Sequence, residues 1–359
     1  MKRLSVLLLC LVMCAASFAQ ENEHSFLVVP RLEANPYIGG NQSFDMGNTS
    51  LYTLFEGELS ETFSYSVMNH WLSADPASLY ANTFRSDDFN WLDWAYVSAY
   101  VGNFNIDLGK QALLFGMWEQ DDYDFDVCYN LSSTVWNTLS TYLWGIILGY
   151  SFDDTYLAAQ VTTSPFAEYH LSGCFAYSLA WKGEYDDYEP VWSFNVFEYA
   201  AYFEGDLLPS PRKAGNIYSF AAGNRFNFDE WQLDFDFNAR SYDLASLFKE
   251  EISLIASLKY FIDDKFDVML KGGWERNRSG EDVFGYMDEP GFLPTSLAWM
   301  KAATGKDYLF GGLLLNYYPL DDEESLRLHG ALAANNYAKG LSVTIGATYY
   351  LDLFELLDR

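Results

Sequence analysis

The chain has 359 residues, 50 of them Asp or Glu against 21 Lys or Arg, for a formal net charge of −29. So few bases exclude a nucleic-acid-binding protein, which needs a basic footprint. Aromatic residues reach 18%, with 27 Tyr, 28 Phe and 11 Trp; at near-neutral overall hydropathy this suits a transmembrane β-barrel with rings at both membrane interfaces.

At the N-terminus, Lys2 and Arg3 precede an apolar stretch from Leu4 to Ala16, and Ser17-Phe18-Ala19 offers small residues for a signal peptidase. The expected organisation is a signal peptide over 1–19 followed by one barrel domain over 20–359. Cys10 and Cys14 raise a lipoprotein alternative, but Leu9 and Met13 before them are bulky for a lipobox. Cleavage would leave 19 bases against 50 acids. No run of about 18 apolar residues follows, so no spanning helix is expected. A closed barrel satisfies its backbone in lipid without one.

The segment Trp94–Gly116, WAYVSAYVGNFNIDLGKQALLFG, reads as two strands around Gly102-Asn103, a pair suited to the positive φ of a tight hairpin. Phe104, Ile106 and Leu108 alternate with Asn105, Asp107 and Gly109, which gives one greasy and one polar face. In the first strand, Ala and Val share one side and aromatics the other, so its inner face stays open. Lys110 falls on the greasy parity. Either Gly109 is a bulge that flips the register, or Lys110 snorkels at a rim.

Further along, Trp231, Leu233, Phe235 and Phe237 oppose Gln232, Asp234, Asp236, Asn238 and Arg240. Ile252 to Tyr260 opposes Glu251, Ser253, Ser257 and Lys259; Phe266 to Trp274 opposes Asp267, Lys271 and Glu275; Leu326 to Leu332 opposes Arg327 and His329. Sixteen such segments, centred near residues 29, 55, 67, 96, 109, 147, 159, 177, 196, 221, 235, 256, 270, 313, 329 and 346, have about the roughly 9–11 residues of a tilted spanning strand. Short turns alternate with long connections, notably Asp75–Asn90, Met117–Thr141, Gly205–Gly215 and Asn277–Lys306. That alternation is the topology of an outer-membrane barrel. The fold class expected is therefore all-β, a transmembrane antiparallel barrel of about 16 strands. At the C-terminus, Thr344-x-Gly346-x-x-Tyr349-x-Leu351 resembles the final-strand signal read by the barrel assembly machinery, although the chain continues to Arg359.

Ala95, Tyr96, Val97, Gly102, Phe104, Gly109, Lys110, Gln111, Phe115 and Gly116 together resemble the A-Y-V … G-x-F-x-x-x-x-G-K-Q … F-G stretch of the phosphate-selective porin O/P-type family. The match covers some 23 residues. It implies a trimeric, solute-conducting, 16-stranded porin in the outer membrane of a Gram-negative cell, with lipopolysaccharide and other outer-membrane lipids around it. Phosphate selectivity does not carry over, because the family's lumenal Arg and Lys ladders find few bases here.

In general porins the loop after the fifth strand folds inward; here that is Met117–Thr141. Its Glu119, Asp121, Asp122, Asp124 and Asp126 are expected to line a pore constriction whose negative field favours cations or neutral solutes. The competing reading is an acidic loop exposed outside the cell. Asp107, Asp234, Asp236, Arg240, Lys259, Lys271 and Arg327 are expected to line the pore, because a cation facing lipid at the midplane costs roughly 2–4 kcal/mol. The bases either set a transverse field or pair with Asp234, Asp236, Asp267 and Glu275 to stiffen the wall, and the second reading is favoured.

The function expected is passive diffusion of small hydrophilic solutes, with a specific channel for sugars or anions such as phosphate as the alternative. Trp71, Trp91, Trp118, Trp136 and Trp299 would serve either a sugar slide or an interfacial girdle. A barrel-borne hydrolase is disfavoured: His24, His70, His170 and His329 stand in no recognisable nucleophile arrangement. No motif implies a cofactor or metal. Cys128 and Cys174 allow one disulfide or two unpaired thiols.

Overall fold

The computed structural model describes residues 24–39, 44–46, 49–73, 91–123, 125–139, 141–166, 173–201, 212–278, 307–320, 325–336 and 340–358. The expected signal segment 1–19, Asp124, His170 and Trp299 lie outside them. Sixteen long strands run in chain order. The first eight are His24–Ile38 (β1), Ser50–Ser60 (β2), Phe63–Ser73 (β3), Leu92–Val101 (β4), Phe104–Ala112 (β5), Tyr142–Phe152 (β6), Thr155–Thr163 (β7) and Phe175–Gly183 (β8). The second eight are Tyr188–Ala201 (β9), Arg212–Phe228 (β10), Trp231–Ser241 (β11), Glu251–Asp263 (β12), Phe266–Asn277 (β13), Asp307–Tyr317 (β14), Leu326–Asn335 (β15) and Leu341–Tyr349 (β16). Each expected segment centre falls inside one of them.

Every strand pairs antiparallel with its sequence neighbours, and β1 pairs with both β2 and β16, so the sheet closes. Closure leaves no unpaired edge, which is what makes an all-strand wall tolerable in hydrocarbon. Two-residue strands at Phe44–Asp45 and Leu351–Asp352 add to β1. The chain does not stop at the last strand: Leu353–Asp358 forms a short helix, with Phe354 packed against Phe26 and Phe55.

The alternating faces behave as period-2 geometry requires. Phe104, Ile106 and Leu108 on β5 are exposed on the outer surface, as are Val97 and Val101 opposite them on β4. The inner face of β4, left open by the sequence, carries the aromatics: Trp94 is buried and Tyr96 packs beside it. Of the turn pair Gly102-Asn103, only Gly102 adopts positive φ (60°), as in a type II′ hairpin. The ladder runs unbroken through Gly109 on both sides, so no bulge flips the register. Lys110 instead curls its ammonium onto the carbonyl of Leu92 at the end of β4. Gly109 itself sits at φ 146°, and a Cβ there would meet the Ala95 carbonyl oxygen at 2.2 Å.

The apolar core is not between two layers. It lies between the inner wall and the loop that follows β5: Leu113, Phe115 and Met117 with Val135 and Leu139 against Phe197, Ile217 and Ile255. Phe125 packs on Tyr52, Leu54 and Met68, and Cys128 and Leu131 on Leu314, Ala331 and Ala333. Both Cys128 and Cys174 are buried free thiols.

Candidate functional site

The loop between β5 and β6 enters the barrel and is fastened along its length to the inner wall. Its first residues are held by strands β7 and β9. The Leu114 N–H donates to Gln160 Oε1 (2.8 Å) and Gln160 Nε2 donates to the Ala112 carbonyl (2.8 Å). Asn195 Nδ2 donates to the Leu114 carbonyl (2.8 Å), and the Gly116 N–H to Ser193 Oγ (2.8 Å). A Cβ on Gly116 would sit 2.3 Å from the Ser193 nitrogen, so only glycine lets the loop backbone lie flat on β9.

The next fastening point is Asp236 on β11. Its two carboxylate oxygens accept the N–H groups of Trp118 (2.8 Å) and Glu119 (2.9 Å), the first two residues of the 3-10 turn Trp118–Gln120. A carboxylate suits this position because the N–H groups of a helical first turn have no partner within the turn. Glu119 is turned to the wall, where its Oε1 lies 2.7 Å from Lys271 Nζ on β13 and accepts the Ser133 N–H at 2.9 Å. Ser133 caps the short helix Thr134–Thr138 (α1), and Glu275 on β13 accepts the Thr134 N–H at 3.0 Å. On the opposite flank, Arg327 of β15 donates to the Phe125 carbonyl (3.0 Å) and pairs with Asp126 (3.0 Å), which also takes the Tyr350 hydroxyl. Arg31 of β1 donates to the Val127 carbonyl (2.9 Å) while pairing with Glu33, which in turn meets His329.

Below this loop lies an open cavity of about 900 Å³ on the side of the short turns. Among the described residues eight carboxylates line it: Glu119, Asp122, Asp126, Asp234, Asp236, Asp267, Asp352 and Glu355. Four of the described bases line it, and each has a carboxylate partner: Arg225 with Asp234 (2.7 Å), Lys259 with Asp267 (3.4 Å), Lys271 with Glu119 (2.7 Å) and Arg327 with Asp126 (3.0 Å). The surplus is therefore acidic. Of the loop carboxylates, Asp122 faces the cavity and Asp121 is 58% exposed, 3.9 Å from Lys182. Enclosure by the barrel pushes the Asp122 carboxyl up to about 6, a rise opposed by Lys271 and Arg225 and assisted by Asp126 and Asp234.

Asp107 stands on the inner parity of β5, where Asn105 donates to it at 3.0 Å. Arg240 is buried beside Glu251 (3.2 Å) near the other end of β11, away from the cavity residues. Lys259 pairs with Asp267 as the sequence suggested; the other partners differ, because Asp236 and Glu275 hold loop N–H groups and Lys271 and Arg327 reach loop carboxylates. One residue missed in the sequence is central here. Arg225 forks onto Asp234 (2.7 and 3.0 Å) and lies 3.8 Å from the ring of Trp118, which donates its indole N–H to the Glu189 carbonyl. Trp71 and Trp91, by contrast, are exposed and stack on one another.

No family model matches the chain, and no curated protein matches it in sequence. Solved structures do match it in fold. The outer membrane channel DcaP of Acinetobacter baumannii superposes with a TM-score of 0.60 at 12% identity, covering 93% of this chain and 98% of that one. Salmonella typhi OmpF, solved with daunomycin, gives 0.61 at 11% identity, covering 92% and 98%. OmpT, an outer membrane protein of Vibrio cholerae, gives 0.59 at 10% identity, covering 92% and 98%. The barrel thus has the fold of outer-membrane porins, closed and antiparallel with 16 strands.

Proposed function

We propose that this chain is an outer-membrane porin through which small hydrophilic solutes diffuse passively, with a preference for cations. One observation carries the reading. The loop after the fifth strand is bonded across the lumen of a closed barrel, beside a cavity in which, among the described residues, eight carboxylates meet four bases, all four already paired. Carboxylates in a narrow pore with low-dielectric walls attract cations with little screening. The same surplus argues against a phosphate channel, which needs bases free to meet the anion.

The greasy outer face of the strands and the closed hydrogen-bonded wall support an outer-membrane location, reached after removal of the 1–19 segment. The partners in this reading are outer-membrane lipids and lipopolysaccharide, the barrel assembly machinery and two further copies of the chain. A trimer form is described for the Vibrio cholerae OmpT that shares the fold. The role is diffusive and not enzymatic.

Reversal potentials across a planar bilayer in a KCl gradient test the reading. Cation preference is expected; anion preference, or an absence of conductance from correctly folded protein, would overturn it.

A further inference from the structure

The loop places two aromatic side chains at the lumen in contrasting ways. Trp118 is 3% exposed, and its ring is already met by cations of the chain itself, Arg225 at 3.8 Å and Lys182 at 5.3 Å. Tyr123, five residues on, is 41% exposed. One face of its ring stacks on Phe125 (5.0 Å between centroids, 8° between planes), and Trp94 leans on it at 5.8 Å. No Lys or Arg lies over it among the described residues. The charges that bear on its hydroxyl are carboxylates, those of Glu56, Asp121 and Asp126, and behind burial they help push that hydroxyl up. Asp126 is committed to Arg327 and Tyr350. Among the described residues Glu56 on β2 receives only a neutral hydroxyl, that of Ser66 at 2.6 Å, and Asp121 is 58% exposed with Lys182 3.9 Å away.

We infer that Tyr123, with Glu56 and Asp121, forms a lumenal subsite for organic cations that carry a ring, such as aromatic or cyclic ammonium compounds. An aromatic face attracts a cation through the ring quadrupole, and an ammonium on an organic skeleton sheds water more readily than a metal ion. The buried Phe125 behind Tyr123 holds the platform rigid, so little side-chain freedom is lost on binding. The flanking carboxylates select for charge and the exposed part of the Tyr123 ring for a flat apolar group. In Trp118 and Arg225 the protein makes the same contact within itself. The inference refines the proposed cation preference and rests on it only for the route by which solute arrives.

The test uses folded, detergent-solubilised barrel and three probes: phenethylammonium, butylammonium and phenylacetate. Equilibrium binding is read by saturation-transfer NMR, and KCl conductance of the unmodified protein is recorded separately in bilayers. Phenethylammonium is expected to bind about three- to fivefold more tightly than butylammonium, the increment of an aromatic ring contact with Tyr123, and phenylacetate not to bind. Tyr123→Ala is expected to erase the preference between the two amines, Tyr123→Phe to keep it, and Glu56→Gln to weaken both amines together. Equal binding of the two amines to the unmodified protein, or a preference that survives Tyr123→Ala, overturns the subsite. Lack of KCl conductance overturns the porin reading and leaves the binding result to decide the subsite independently.

Discussion

Asp236→Ala is the sharpest perturbation of how the loop is held. The carboxylate accepts two buried N–H groups, from Trp118 at 2.8 Å and Glu119 at 2.9 Å. Hydrogen bonds to a charged group contribute about 1.5–3 kcal/mol each, and truncation also leaves two donors without a partner. The local loss is thus roughly 3–6 kcal/mol, with non-additivity trimming it. The remaining fastenings (Glu119 to Lys271, Thr134 to Glu275, Phe125 to Arg327) are untouched. The expected result is local: the stretch around Trp118–Gln120 loosens while the barrel stays closed. Single-channel records should show larger and noisier conductance, and protease should cut near Trp118 in the variant but not in the parent. Asp236→Asn, which keeps one carbonyl acceptor, should fall between. If Asp236→Ala leaves mean conductance, noise and cleavage unchanged, the wall carboxylate does not fix the loop and the account of the constriction fails.

The raised carboxyl of Asp122 makes selectivity depend on pH. The group is charged above about 6 and neutral below it, so cation preference should decline between pH 7 and pH 5, and Asp122→Asn should flatten that response in reversal-potential measurements. Lys271→Met strands the buried Glu119 without its cation; breaking a buried pair costs about 3–5 kcal/mol, read as a lower urea midpoint than the parent's, and Lys271→Met with Glu119→Gln should recover part of it. Arg225→Ala releases Asp234 from its fork and uncovers Trp118, so cation preference should rise relative to the parent in the same KCl gradient. Burial raises both Cys128 and Cys174 thiols; a maleimide should label neither in the folded barrel and both after denaturation, without prior reduction.

How far the molecule was legible depends on the distance over which each feature is decided. The strands are decided locally, by alternation, and all sixteen segment centres lie within observed strands. Hairpin pairs are nearly as local. Arg225 and Asp234 stand at equal distances from the Asp229-Glu230 turn and pair directly across it, so counting outward from that turn finds a salt bridge that parity alone did not. Lys110 shows where parity falls short: its pattern places it on the greasy face, yet its long side chain bends back to a carbonyl on the neighbouring strand. The inner face of β4 was ambiguous for a related reason, since Trp94 and Tyr96 point inward only because a distant loop supplies Tyr123 and Phe125 to cover them. The loop itself was the least legible. Five acids within eight residues read as one negative belt, but its path divides them. Glu119 and Asp126 are drawn to Lys271 and Arg327, from strands some 150 and 200 residues away in sequence, while Asp122 and Asp121, the latter only loosely met by Lys182 at 3.9 Å, are left toward the lumen. A wall base that meets a loop acid subtracts both from the pore field and adds a fastening. The field a solute meets is therefore set by the pairing the fold permits, and the carboxylates that remain after pairing are the ones on which selectivity should be tested.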